Sequence, residues 1–217
     1  MKAPASSHGI FKISGYNTQS AYFDGNGNII IPHSQSLALT GNFALSWWFN
    51  PSTPQSKSYD EEMVNSRCPT DTTFDMQLVS AGGGGGGTGV TYGLHGDVGT
   101  GTGTWLATDI NYQYVFSNNT WYNVAVDIST SGWSLYLNGN EVSSGSYSGT
   151  PSLTDGNSNI YLGNCGTFPS TNFNGRPSIP SEFNLLILEF EMDEPYICKL
   201  AMLPLKFVEG SVPHSPK

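Results

Sequence analysis

Apolar and polar positions alternate most cleanly over residues 121–142. Tyr122, Val124, Val126 and Ile128 interleave with Asn123, Ala125 and Asp127, and Trp133, Leu135 and Leu137 interleave with Ser134, Tyr136 and Asn138. A period of two is that of a strand with one buried face. Residues 129–132 read as a turn, and Asn138-Gly139 supplies the two residues tolerant of positive φ that a type I′ hairpin requires. A three-stranded meander is expected, with Leu135 opposite Val142. Upstream, Phe43, Leu45, Trp47 and Phe49 share one face of a strand, and Trp48 lies on the other. Further short strands are expected at 21–25, 29–31, 76–79, 90–94, 104–108, 112–116 and 159–162.

Between these, residues 51–73 read as a long polar insertion, with Asp60-Glu61-Glu62 as a solvated loop face. The six glycines of 82–87 read as a flexible loop, because no GK[ST] follows to make a phosphate cradle. After Gly175 comes a strongly apolar FNLLILEF (183–190), then 191–198 as a closing strand. No stretch carries a helical period. Short strands punctuated by turn residues predict an all-β fold, an antiparallel two-sheet sandwich. The expected organisation is a lead-in at 1–20, one β-sandwich domain at 21–207 and a flexible tail at 208–217.

Composition narrows the partners. Only 12% of the 217 residues are charged, the formal net charge is -9, and Lys plus Arg number eight. No basic patch can neutralise several phosphates, so nucleic acid and anionic membranes are poor partners. No apolar run is long enough to span a bilayer, and the N-terminus lacks the apolar core of a secretory signal. The chain is expected outside the cell or on a virion surface, where a phage part released by lysis needs no signal of its own. Cys68, Cys165 and Cys198 are too few and too scattered for a disulfide framework or zinc site, and His8, His33, His95 and His214 are equally dispersed.

Sugar sites pair aromatic faces with amide and carboxylate groups that read hydroxyls. The segment from Gly82 to Asp109 holds Tyr92, His95, Asp97, Trp105 and Asp109 among glycines that let a ligand approach. With Trp48 these form the candidate ligand-binding set, Trp48 and Trp105 serving as stacking platforms. Either tryptophan could instead belong to the core.

Several blocks in order resemble the concanavalin A-like lectin/glucanase superfamily, in its laminin-G and pentraxin-like branch. They are YFDGNGNIIIP (22–32), the residues 36–51 around FALSWWF, the Trp121 hairpin, IYLG (160–163) and FNG (173–175). The resemblance implies a jelly-roll sandwich of concanavalin A type. The end departs from the pattern: the nearest match to the family's I-D-E strand, Met192-Asp193-Glu194, follows FNG only after residues 176–191.

The resemblance also implies calcium (Ca2+) near the FDG turn and the I-D-E strand, which names Asp24 and Asp193 with Asn26 as a helper. Asp24 could instead cap its own turn, with Asp193 merely exposed. Related glucanases place catalytic carboxylates as E-x-D-x-E on one strand. Glu189, Glu191 and Asp193 share a face here, but their order is wrong and charge on an edge strand explains them more simply. The expected function is a non-catalytic module recognising a glycan or a surface protein, with room for self-association in a larger assembly. A β-glucan hydrolase of the same fold and a purely structural virion domain are the alternatives.

Overall fold

A computed structural model describes residues 28–51, 61–67, 72–79, 92–163, 184–190 and 198–201. In chain order the strands are β1 (Asn28–Ile31), β2 (Phe43–Phe49), β3 (Glu61–Asn65), β4 (Phe74–Val79), β5 (Gly93–Gly99), β6 (Trp105–Ala107) and β7 (Tyr112–Gln113). They continue as β8 (Tyr122–Ser129), β9 (Gly132–Leu137), β10 (Asn140–Ser146), β11 (Ile160–Gly163), β12 (Asn184–Phe190) and β13 (Cys198–Ala201). One short 3-10 turn, Gln35–Leu37, follows β1.

The strands form two antiparallel sheets. The seven-stranded sheet runs β1-β11-β3-β4-β5-β6, with β7 also on β5, and the six-stranded sheet runs β10-β9-β8-β2-β12-β13. Phe43, Leu45, Trp47 and Phe49 of β2 and Val124, Val126 and Ile128 of β8 are buried against Phe74, Met76, Leu94 and Val98 of the other sheet. Phe43 and Phe74 meet edge to face across the interface, ring centroids 6.5 Å apart. Gly96 faces Met76, and a Cβ there would lie 2.6 Å from the methionine methyl and 2.8 Å from the Asp75 carbonyl. Its missing side chain is what lets β4 and β5 lie flush beneath the core. The fold is the expected all-β jelly-roll sandwich.

The meander forms as β8, β9 and β10, and Asn138 and Gly139 both take positive φ, 52° and 81°. Its last rungs differ from the expected register. Leu137 faces Asn140 and Tyr136 faces Glu141, but Leu135 faces Ser143, because a bulge at Val142 intervenes. Two residues then oppose one, and the parity of β10 changes. Elsewhere, β5 extends through Gly99 instead of ending near Leu94, and β7 is only two residues long.

Two other expectations are corrected. Residues 61–65, read as part of a loop, form an interior strand between β11 and β4, and Glu62 is buried rather than solvated. Glu189, read as part of a charged stripe on an edge strand, belongs instead to the interior strand β12, which pairs with both β2 and β13. No helix among the described residues is long and apolar enough to cross a membrane. The FDG turn, the glycine run 82–87, Cys68, Cys165 and residues 191–197 lie outside the described residues.

Candidate functional site

Strand β4 alternates Phe74, Met76 and Leu78 with Asp75 and Gln77, and β5 alternates Leu94 and Val98 with His95 and Asp97. With the apolar set in the core, the polar set lines the outer face of the seven-stranded sheet. Register then places Asp75 beside Asp97 and Gln77 beside His95. Strand β3 adds Glu62 beside Gln77 and Asn65 beside Asp75. Residues 62 and 65 are an odd number apart and would normally face opposite ways. A bulge between Glu62 and Val64 puts both on one side, and Asn65 Nδ2 donates to Glu62 Oε2 at 2.9 Å.

Like charges directly opposite on neighbouring strands repel. Arg67, just past β3, answers this for Asp75 and Asp97: its Nη1 donates to Asp75 Oδ2 at 2.7 Å and to Asp97 Oδ2 at 3.1 Å. Asp75 is wholly buried and also accepts from the Asp97 backbone N–H at 3.0 Å. Gln77 Nε2 donates to Glu62 Oε1 at 2.9 Å, so both Glu62 oxygens are engaged from within the sheet. The Arg67 guanidinium lies 5.0 Å from the Trp105 ring centroid, a cation–π contact.

Burial decides the charge of this face. Glu62 is 2% exposed. Its burial first, and then the Asp75 carboxylate, push its carboxyl up to about 8, so it is predominantly protonated at neutral pH. Burial and Asp75 likewise push Asp97 up to about 6, against the pull of His95 and Arg67 and with a further push from Asp109. Burial opposes the Arg67 charge, but Asp75, Asp97 and Glu62 outweigh it and hold the guanidinium above its ordinary value.

At the outer end of the cluster, His95 Nδ1 lies 2.6 Å from Asn111 Oδ1. An amide oxygen only accepts, so Nδ1 carries the proton and Nε2 is turned to Asp97 Oδ1, 3.4 Å away. That is ion-pair distance without hydrogen-bond geometry, and Asp97 Oδ1 is buried with no hydrogen-bond partner. The result is a graded surface: Glu62, Asn65, Asp75 and Gln77 form a buried floor, His95 and Asp97 sit nearly buried above it, and Arg67, Trp105, Asn111 and exposed Asp109 form the rim.

Four of the six expected ligand-binding residues, His95, Asp97, Trp105 and Asp109, thus come together. Tyr92 does not: it precedes β5 at the end away from Asp97, where its carbonyl accepts from Tyr114 N–H at 3.0 Å. Trp48 is on the outer face of the other sheet. The calcium residues Asp24, Asn26 and Asp193 lie outside the described residues, as do the side chains of Glu189 and Glu191. Among the described residues, no group of three or more His, Cys, Asp and Glu side chains is disposed to hold a metal ion. Arg67, Asp75, Gln77, Glu62 and Asn65 were not anticipated. The signal available for two of them was the unbroken alternation Phe74-Asp75-Met76-Gln77-Leu78.

A laminin G model of the Concanavalin A-like lectin/glucanases superfamily matches residues 23–176. The chain belongs to this superfamily. None of the curated proteins matches it in sequence. Among solved structures of the superfamily's fold, domain 4 of AbnA, a GH43 extracellular arabinanase from Geobacillus stearothermophilus in complex with arabinotriose, is 17% identical, with TM-score 0.50 over 80% of this chain and 71% of that one. The binding domain of Paraclostridial Mosquitocidal Protein 1 is 16% identical, with TM-score 0.52 over 80% of this chain and 41% of that one. Domains LG4-5 of the mouse laminin alpha1 chain are 13% identical, with TM-score 0.48 over 78% of this chain and 40% of that one. This chain therefore spans less than half of the last two.

Proposed function

We propose that the chain is a non-catalytic recognition module that binds a carbohydrate on the outer face of the seven-stranded sheet, within an extracellular or virion-surface assembly. The observation that carries this reading is the half-exposed rim of Arg67, Trp105 and Asn111 over a hydrogen-bonded buried floor. Such a floor holds the rim groups in place before the ligand arrives, which lowers the entropy lost on binding. Arg67 lies over the Trp105 ring, 5.0 Å from its centroid, and stacking of a sugar ring on this half-exposed indole is the contact the reading requires.

Hydrolysis fits less well. A glycosidase needs two carboxyl groups that both reach the glycosidic bond. Here Asp75 is wholly buried, both Glu62 oxygens are tied to Asn65 and Gln77, and Asp97 is nearly buried with its Oδ2 held by Arg67. The arabinanase domain of similar fold was solved with an oligosaccharide bound, which supports a sugar as the ligand class.

A glycan array probed with the wild-type chain and with Trp105→Ala tests the reading. The wild type is expected to bind a defined set of glycans that the variant loses. Binding to no glycan would turn the proposal toward a protein partner on the same face. Calcium at Asp24 and Asp193, with Asn26, belongs to this proposal as a stabiliser of the native state. Chelation is expected to lower the melting temperature and calcium to restore it; an unchanged melting temperature would remove the metal.

A further inference from the structure

The outer face of the six-stranded sheet has a different chemistry, and its register lays out a grid. Trp48 pairs with Asn123; Ser46 pairs with Ala125, which pairs with Tyr136; Ala44 pairs with Asp127, which pairs with Ser134, and Ser134 with Ser144. The positions on β2, β8 and β9 alternate with buried ones and so point outward, and Ser144 shares their face through its pairing with Ser134. Trp121, two residues before Asn123, continues the face. Trp48 is 47% exposed and Trp121 39%, which is unusual for indoles with no functional reason to meet water.

From Trp121 to Asp127 the face runs six residues along β8, about 20 Å at a strand rise of ~3.3 Å per residue. Its first two-thirds, Trp121, Trp48, Asn123, Ser46, Ala125 and Tyr136, carry no ionisable group other than the phenol, and the one carboxylate that the register sets beside them, Glu141 opposite Tyr136, stands on β10 at the rim of the row. The small residues Ser46 and Ala125 form a low floor between Trp48 and Tyr136. Asn123 Nδ2 is committed to Ser46 Oγ at 3.1 Å and to the Trp47 carbonyl at 3.0 Å, which fixes the amide and leaves Oδ1 as an acceptor. At the far end is a shallow pocket of about 240 Å³, lined by Asp127, Ser129, Ser131, Ser134 and Ser144 among others. Aromatic plates, a fixed carboxamide and a hydroxyl-lined pocket in one row are the groups that read an uncharged, extended, polyhydroxylated chain.

We infer that this face is a second binding site, a track for a neutral polysaccharide strand that stacks on Trp48 and Trp121 and enters the serine pocket near Asp127. It stands independently of the site at Trp105, since the two lie on opposite outer faces of the sandwich. A chain with both sites working would bridge two glycan strands.

The test is affinity electrophoresis of the full chain through gels containing laminarin, xylan or arabinan, with N-bromosuccinimide oxidation of tryptophan as a second readout. At least one of these polysaccharides is expected to retard the wild type and to protect Trp48 and Trp121 from oxidation. Trp48→Ala and Trp121→Ala should each weaken that retardation at least tenfold with unchanged melting temperature, Trp48→Tyr should retain part of it, and Trp105→Ala, which alters only the first site, should lose less than either alanine variant of the track. Retardation by none of the three polysaccharides, or wild-type retardation in both Trp48→Ala and Trp121→Ala, overturns the inference. Loss in Trp105→Ala with retention in the other two overturns it while leaving the first site standing.

Discussion

The two outer faces of the sandwich rest on one core, yet they handle polarity in opposite ways. On the seven-stranded sheet, ionisable groups are drawn inward: Asp75, Asp97 and Glu62 are buried, and they are held by half-buried Arg67, by Asn65 and by Gln77. On the six-stranded sheet, neutral groups reach the surface: exposed Trp48 stands beside half-buried Asn123, Tyr136, Ser46 and Ala125. Buried charge is stable only when each partner is present, so the first face is rigid and intolerant of change. Apart from the hydrogen bonds of Asn123 to Ser46 and the Trp47 carbonyl, the neutral groups of the second face need no partner to offset a buried charge, so it can vary at smaller cost to the fold.

The largest expected effect follows from that asymmetry. Arg67→Ala leaves Asp75 and Asp97 facing each other without a cation and should destabilise the chain by about 3–5 kcal/mol, the range for breaking a buried ion pair. Ser144→Ala, at an exposed position of the opposite face, should change stability by under about 0.5 kcal/mol, as for most surface substitutions. Urea denaturation of the two variants measures the contrast, and equal losses would erase it.

A smaller effect is the pH dependence of stability. Glu62 and Asp97 have folded values raised above their unfolded ones, to about 8 and about 6, so the native state holds their protons more tightly. Their contribution is full below the unfolded values near 4 and falls as pH rises through about 6 and then about 8. Urea midpoints should therefore decline from pH 5 to pH 8.5. Glu62→Gln, which removes one titration, should flatten the upper part of that decline; an unaltered slope would show that Glu62 is ionised in the native state.

The contrast between the faces also explains what could be read in advance. Strands β2, β8 and β9 were legible because one face is core and the other wet, which writes a period of two into the sequence. Strand β3 was not, because its bulge breaks the period between Glu62 and Val64 and because Glu62 and Asn65 are polar yet buried. The Val142 bulge escaped for the same reason: one extra residue reverses the parity on which the register rests. In the site, His95, Asp97, Trp105 and Asp109 were visible as residue types among glycines. Arg67 and Asp75 were not, since their role comes from pairing across strands far apart in sequence. Trp48 was recognised as outward-facing, but only the sheet order places it on the opposite side from Trp105.

Isothermal titration of a glycan selected by the array, into the wild type and Trp105→Ala side by side, tests recognition at the seven-stranded face most directly. The two proteins should melt together, while Trp105→Ala loses at least tenfold in affinity, or about 1.4 kcal/mol. Equal affinity in the two proteins would contradict a binding site at Trp105.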